Sequence, residues 1–248
     1  AVDAESLLAT ARELEKLSTV EYVYLQPLHV ALPADIAPPS SPFMSQQVYS
    51  GALGLEVSYA HSLNAEGQGI KISDVEFAWR GAHEDLNHIN LNLEAGQTIA
   101  ATVSEANYDH GTAVMGILVG GDNAYGVTGL SPLSNIGTYP IHTVTRPVPN
   151  TDAALASAIA QSVAGDVILI ELQTWFTADG QYIPMEFYQA TYDLIRGATQ
   201  AGIIVIEAAG NGNVNLDGVA YATWRGRGDS GAIIVGAGTT GRVRQSFS

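Results

Sequence analysis

The chain has 248 residues with 25 acidic and 10 basic side chains, which give a formal net charge of −15. A chain this acidic repels polyanions, so we do not expect nucleic acid or an anionic membrane surface as a partner. Hydrophobic residues make up 46% and no apolar run is long enough to span a bilayer. This composition predicts one folded domain with a large core, and the absence of cysteine excludes disulfides and thiolate metal sites.

The N-terminal segment differs in pattern from the rest of the chain. Residues 4–16 carry leucine and alanine at helical spacing, and residues 20–25 alternate as a strand does. Four prolines then punctuate residues 31–46, which we interpret as a linker. Residues 47–248 form the predicted main domain.

Strands and helices alternate through the main domain. We expect strands over 70–74, 135–141, 166–170 and 203–206, a further strand over 98–103, and helices over 110–119, 151–163 and 188–201. This alternation predicts an α/β fold with a mainly parallel sheet and helices on both faces.

One histidine stands where an apolar helix is predicted to begin. Asp109 is a suitable N-cap, and the small residues Gly111 and Ala113 leave the His110 imidazole open to another chain. Asp74 ends the first predicted strand, at the rim where α/β sheets gather their sites. These positions suit a histidine that acts as general base and a carboxylate that orients it. A histidine near the start of a helix is, however, more often a helix cap or a polar surface residue.

A third candidate follows the strand predicted over 203–206. The segment Ala208-Ala209-Gly210-Asn211 would let a substrate backbone lie alongside, and the Asn211 amide could donate a hydrogen bond to an oxyanion. The alternative is that Asn211-Gly212 forms an ordinary tight turn.

Together, Asp74, the His-Gly-Thr at 110–112 and the Ala-Ala-Gly-Asn at 208–211 resemble the motifs of the subtilisin-like serine proteases. The resemblance runs from about Gln47 to the last residue. It implies a three-layer subtilisin-like α/β fold and peptide hydrolysis through an acyl-enzyme. His110 would be the general base, Asp74 would orient it, and Asn211 would bind the oxyanion.

The family's nucleophile lies in a Gly-Thr-Ser motif, which does not occur in these 248 residues. We therefore expect a fold truncated at the C-terminus, with the serine beyond residue 248 on a C-terminal remainder that would act as a partner. The 248 residues alone should be inactive. The alternative is a catalytically degenerate, subtilase-like module that binds peptides.

The resemblance also indicates two walls of a substrate cleft. Glu171, Leu172 and Gln173 replace the family's Ser-Leu-Gly, and Ala208, Ala209 and Gly210 would form the opposite wall of the pocket. Glu171 and Gln173, together with Glu76 beside the predicted catalytic acid, suggest a preference for basic or polar substrate residues. Solvated surface carboxylates explain the two glutamates as well.

A loop over 121–127 aligns with the calcium-binding loop of many subtilases. The resemblance implies a calcium ion with oxygen ligands from Gln47, Asp85, Gly121, Asn123, Tyr125 and Val127. A solvated polar turn is the alternative. The resemblance further implies secretion, although no signal peptide is visible, and it makes residues 1–30 either the tail of a pro-region or an N-terminal extension.

Two further motifs suggest other chemistry. Residues 228–231 read Gly-Asp-Ser-Gly, as around the serine of trypsin-like proteases, and residues 236–241 match a dinucleotide-binding fingerprint in outline. The first is better explained as a turn into a strand. The second would need a following helix and an acidic residue about twenty positions later, which would lie beyond residue 248, so it stays an alternative to a strand of the protease sheet.

Overall fold

The computed structural model describes residues 9, 12, 13, 16, 40–52, 54–89, 91–176, 178 and 180–248. The chain separates into two compact units, Ala1–Pro33 and Ala34–Ser248. Residues 9, 12 and 13 are helical. The predictions for the rest of residues 1–30 and for residues 31–39 lie outside the described residues.

Six parallel strands form the main sheet. Their spatial order is β2-β3-β1-β4-β7-β8. The strands are β1 Lys71–Glu76, β2 Asn92–Leu93, β3 Asn135–Pro140, β4 Val167–Ile170, β7 Ile204–Ala208 and β8 Ile233–Val235. An antiparallel hairpin of β5 Thr174–Phe176 and β6 Gln181–Ile183 stands apart from the sheet.

Five α-helices lie among these strands in the described part of the chain. They are α1 Val57–Ser62, α2 Glu105–Val119, α3 Thr151–Ala160, α4 Gln189–Gln200 and α5 Ala222–Arg225. Ser104 caps α2 by accepting a hydrogen bond from the Asn107 amide, and Asn150 caps α3 through the Ala153 amide. None of these helices combines the length and apolarity that crossing a membrane requires.

Both faces of the sheet are covered. On one face, Val75, Ile168 and Val205 pack with side chains of α3 and α4 in the largest core cluster. On the other face, Met115 and Val119 of α2 pack in a second cluster. Because alternate residues of a strand point to opposite faces, burial on both sides explains the β-branched runs in β4 and β7. The predicted mainly parallel sheet with helices on both faces is confirmed.

Of the element boundaries that differ from the predictions, two affect the candidate site. Strand β1 continues two residues past Asp74 and ends at Glu76. Helix α2 begins at Glu105 instead of His110, because Ser104 provides the N-cap and Glu105 suits the positive end of the helix dipole. Residues 98–103 form no strand, and only Ile99 makes an isolated bridge, to Thr143.

Candidate active site

The candidate site begins at the carboxyl end of β1. Asp74 and Glu76 are two residues apart on this strand, so their side chains leave the same face of the sheet. That face is the one covered by α2, which carries His110 in its second turn. One strand therefore brings two carboxyl groups to the side of the sheet where the imidazole lies.

Glu76 is the carboxylate that contacts the histidine. The distance from His110 Nδ1 to Glu76 Oε2 is 2.5 Å, while Glu76 Oε1 accepts a hydrogen bond from the Phe77 amide at 2.6 Å. The Glu76 side chain is 2% exposed and that of His110 is 50% exposed. The bond to Glu76 is the main cause that raises the pKa of His110, because it stabilises the imidazolium.

Helix α2 lies unusually close to the loop that follows β1. A Cβ atom added to Gly111 would stand 2.2 Å from the Ala78 carbonyl oxygen, so only glycine fits there. Next to it, Thr112 Oγ1 accepts a hydrogen bond from the Arg80 amide at 3.0 Å and donates one to the Tyr108 carbonyl at 2.6 Å. This close approach places His110 within reach of Glu76.

Asp74 has a different environment from the one we expected. Its Oδ2 accepts a hydrogen bond from Trp79 Nε1 at 2.7 Å, and its Oδ1 has no partner among the described residues. Complete burial raises the pKa of Asp74 to about 8, so this carboxyl is protonated at neutral pH. In the structure the hydrogen bond of the imidazole goes to Glu76 and not to Asp74, because β1 extends to Glu76 and presents that side chain to His110.

Asn211 lies at the same edge of the sheet, just beyond β7. It is exposed, and it follows Gly210, whose φ of +91° turns the chain away from the strand. A cavity of about 290 Å³ adjoins this turn, with walls that include Glu171, Ala208 and Asn211. An exposed amide beside an open cavity is a suitable donor for a negatively charged oxygen.

The predicted wall residues Glu171, Leu172 and Gln173 follow β4, the strand next to β7. Glu171 contributes to the cavity, and its charge interacts with that of His110. Partial burial in the cavity wall raises the pKa of Glu171. The Leu172 side chain belongs to the main core instead, so only its backbone can contact a substrate. Gln173 Oε1 accepts a hydrogen bond from the backbone N–H of Asn211 at 2.7 Å.

The sequence comparison with known families agrees with this geometry. The model of the subtilase family matches residues 67–248, which is more than half of the chain. The chain belongs to the subtilase family. The mainly parallel sheet and its helices are those of a subtilase domain.

Two proteins with similar sequences show how distant the relationships are. The chain is 23% identical over 159 residues to the minor extracellular protease Epr of Bacillus subtilis, covering 63% of this chain and 22% of that protein. It is 24% identical over 209 residues to a thermostable alkaline protease of Halalkalibacterium halodurans, covering 83% and 51%. The chain thus spans about a fifth and about half of these relatives.

Among solved structures, the nisin leader peptidase NisP of Lactococcus lactis superposes with a TM-score of 0.57. The identity is 17%, and the match covers 84% of this chain and 66% of that one. At this identity the similarity establishes the fold alone. The predicted subtilisin-like α/β fold is confirmed.

The predicted calcium loop of this subtilase is tied to Gln47 and Asp85. Gln47 Nε2 donates to the Thr128 carbonyl at 2.7 Å, and the Thr128 amide donates to Gln47 Oε1 at 3.0 Å. Asp85 Oδ2 accepts a hydrogen bond from the Val127 amide at 3.2 Å, and the Asp85 carbonyl accepts one from the Gly121 amide at 2.9 Å.

Two further observations concern the ligands of that loop. Asn123 Oδ1 accepts a hydrogen bond from the Tyr125 amide at 3.2 Å, within the loop itself. Asp85 Oδ1 is buried and has no hydrogen-bond partner among the described residues. An unpartnered buried carboxylate oxygen suits a hard cation such as calcium. The described residues contain no cluster of three or more histidine or acidic side chains that could hold a metal by themselves.

The alternative serine of the Gly-Asp-Ser-Gly motif is not free to react. Ser230 is buried, and its hydroxyl donates a short hydrogen bond to Glu186 Oε2. Thr199 Oγ1 donates to the Ser230 carbonyl as the chain turns into β8. The segment leads into β8 and offers no free nucleophile.

Proposed function

We propose that this subtilase is a serine endopeptidase in which Glu76, in place of Asp74, is the acid that orients His110. The nucleophilic serine would come from a segment beyond residue 248. The 2.5 Å contact between His110 Nδ1 and Glu76 Oε2 carries this proposal. It supplies what an acyl-transfer base needs, which is a carboxylate that fixes one ring nitrogen and leaves the other for the nucleophile.

The reaction would follow the acyl-enzyme route. His110 Nε2 takes the proton of the serine hydroxyl as the oxygen attacks the peptide carbonyl, and Glu76 stabilises the resulting imidazolium through Nδ1. The carbonyl oxygen becomes negative and accepts a hydrogen bond from the Asn211 amide. The imidazolium then protonates the leaving amine. Water repeats the sequence to release the acid and restore the serine.

Asp74 cannot share the role of Glu76 at neutral pH. Its pKa of about 8 leaves it uncharged, and its Oδ2 already accepts the Trp79 indole N–H. A neutral carboxyl gives an imidazolium little electrostatic stabilisation. We therefore assign Asp74 to the support of β1 and not to the reaction.

The test is labelling of the full-length gene product by a fluorophosphonate, a probe that reacts with an activated serine. We expect the parent protein to label, His110→Ala to lose labelling, and Glu76→Gln to lose at least a hundredfold in rate. Asp74→Asn should label within a few-fold of the parent, because it replaces one neutral group by another. Circular dichroism and thermal melting would verify that each variant is folded.

Two results would overturn the proposal. The first is slow labelling of folded Asp74→Asn together with normal labelling of Glu76→Gln, which would return the acid role to Asp74. The second is a folded parent that does not label at all. If such a parent still bound peptides, the degenerate peptide-binding module would be the better description. The 248 residues alone are expected not to label.

We also propose a structural calcium ion in the loop over 121–127. Asp85 Oδ1 supports this, because it is buried with no hydrogen-bond partner among the described residues, while Oδ2 of the same carboxylate accepts the Val127 N–H of that loop. The proposed ligands are Gln47, Asp85, Gly121, Asn123, Tyr125 and Val127. We expect calcium to raise the melting temperature of the parent and not that of Asp85→Asn. An equal shift in both proteins would remove Asp85 from the site.

We further propose, from the names of two similar proteins, that this subtilase is secreted and acts on a peptide or a protein. Epr is named an extracellular protease, which supports secretion of this subtilase. Immunodetection of the product in the culture medium and in washed cells would check this. NisP is named a leader peptidase, which supports a peptide or protein as the substrate here.

A further inference from the structure

Gln173 connects the two walls of the proposed substrate cleft. It follows β4 on one wall, and its Oε1 accepts the backbone N–H of Asn211, beyond β7 on the other wall, at 2.7 Å. β4 and β7 are hydrogen-bonded neighbours, and their carboxyl ends open towards the same edge of the sheet. A glutamine side chain therefore crosses the gap where a substrate side chain would have to enter between the walls.

The hairpin of β5 and β6 closes the same region from a second direction. A Cβ atom added to Gly212 would lie 2.1 Å from the Tyr182 carbonyl oxygen. One added to Gly210 would lie 2.9 Å from the backbone of Ile183. The backbone of β6 thus touches the loop that carries Asn211, without room for a single methyl group at either glycine. This backing limits how far the second wall can move away from Gln173.

We propose that Gln173 is a specificity-determining residue that limits the subtilase to substrates with glycine, alanine or serine before the scissile bond. The proposal rests on the proposed peptidase function and names the substrate class of that site. A larger side chain at this position must displace the Gln173 amide from the gap. Displacement breaks its bond to Asn211, next to the amide that would bind the oxyanion.

The expected discrimination follows from the size of the group that is excluded. One extra methylene group that a pocket must accommodate changes kcat/KM by roughly 10- to 200-fold. We expect at least a tenfold preference for alanine over phenylalanine, since displacing Gln173 also disturbs the Asn211 backbone. We expect alanine to be preferred over lysine as well, in spite of the Glu171 carboxylate. A lysine side chain would also have to displace Gln173 from its hydrogen bond to Asn211.

The experiment compares peptide substrates that differ only in the residue before the scissile bond, which is alanine, serine, leucine, phenylalanine or lysine. The kcat/KM of the full-length gene product is measured for each. We expect alanine and serine to be cleaved best. In Gln173→Gly, the ratio of phenylalanine to alanine should rise at least tenfold, because the gap is open.

Two further variants separate specificity from a general structural effect. Gln173→Glu keeps a carboxylate oxygen that can accept the Asn211 N–H, so it should retain the preference for small residues. Gln189→Ala removes an exposed glutamine at the start of α4 whose Nε2 donates a hydrogen bond to Asp193, and it should leave the ratio of phenylalanine to alanine unchanged.

Three outcomes would overturn the inference. They are a parent that cleaves best after phenylalanine, leucine or lysine, a Gln173→Gly variant with the parental ratio, and a Gln173→Glu variant that is as permissive as Gln173→Gly. A parent that cleaves no peptide and labels with no fluorophosphonate contradicts the proposed function instead. The two failures are therefore distinguishable.

Discussion

At the residue scale, the site depends on which carboxyl group is ionised. Glu76 and Asp74 are two residues apart, yet Glu76 contacts the imidazole, whereas Asp74 is buried and accepts a hydrogen bond from the Trp79 indole. Burial without a cation leaves a carboxyl protonated, whereas a hydrogen bond to an imidazolium favours the carboxylate. Position within the strand thus decides the chemistry of two similar side chains.

This difference predicts the titration of His110. Glu76→Gln removes the negative charge and should lower the pKa of His110, whereas Asp74→Asn should leave it near the parental value. NMR titration of the imidazole C–H signals would measure both. The acid limb of the rate profile should shift to lower pH in Glu76→Gln, because an imidazole with a lower pKa stays neutral, and can act as a base, down to a lower pH. A pKa that falls only in Asp74→Asn would contradict the assignment.

The sequence predicts His110 and Asn211 as site residues, but it does not predict the contact between Glu76 and His110. Asp74 matches the residue type of the family's acid, and its strand was expected to end there. The feature that would have indicated Glu76 is the length of strand β1. Ile72, Asp74 and Glu76 point to one face of the sheet only if the strand continues to Glu76. The residue type favours Asp74 as the partner of His110, but the length of the strand determines that Glu76 makes the contact.

At the element scale, the position of α2 against the loop after β1 is set by Gly111. This helix could be predicted from its apolar spacing, but its first residue could not, because Ser104 and Asp109 both qualify as caps. Asp109 was preferred from the sequence. In the structure its carboxylate forms an ion pair with Arg80, and Ser104 is the cap. Competing side-chain contacts of this kind depend on tertiary structure.

Gly111→Ala should disrupt the site. The added methyl group would lie 2.2 Å from the Ala78 carbonyl oxygen, so α2 must move away and lengthen the contact between His110 and Glu76. We expect at least a tenfold loss of labelling rate and a lower melting temperature.

Gly116→Ala is the matched control in the same helix. Its added Cβ would meet only the Val127 side chain, at 3.4 Å, and alanine is favoured over glycine in a helix by roughly 1 kcal/mol. We expect parental labelling and an equal or higher melting temperature. Equal behaviour of the two variants would show that the close approach at Gly111 does not position His110.

At the scale of the whole molecule, the parallel sheet was the most predictable feature. Buried strands such as β4 and β7 are apolar on both faces, so their sequence pattern carries the signal by itself. The hairpin of β5 and β6 was not predicted, because Thr174–Phe176 and Gln181–Ile183 are too short to show a period. Its packing against Gly210 and Gly212 is a tertiary contact that no local pattern encodes.

Buried carboxyl groups on both faces of the sheet predict how stability depends on pH. The pKa of Asp74 rises to about 8, and burial near Glu186 also raises the pKa of Glu207. A folded state that holds protons more tightly than the unfolded state loses stability as pH rises between the unfolded and folded pKa values. For Asp74 that window runs from 3.8 to about 8.

We therefore expect the melting temperature to fall as pH increases through this window. Asp74→Asn should reduce the slope, because its side chain stays neutral throughout. Surface variants such as Glu56→Gln should leave the slope unchanged. A melting temperature that rises from pH 5 to pH 8 would contradict the raised pKa values.

Two of the three tryptophans donate their indole N–H to a buried carboxyl group: Trp79 to Asp74 and Trp224 to Glu186. Indole emission responds to a charge that develops beside the ring, so Trp79 is an intrinsic optical reporter of the ionisation of Asp74. Trp175 is exposed on the hairpin and reports on solvent instead. The natural fluorescence of this chain therefore follows ionisation inside the sheet without any added label.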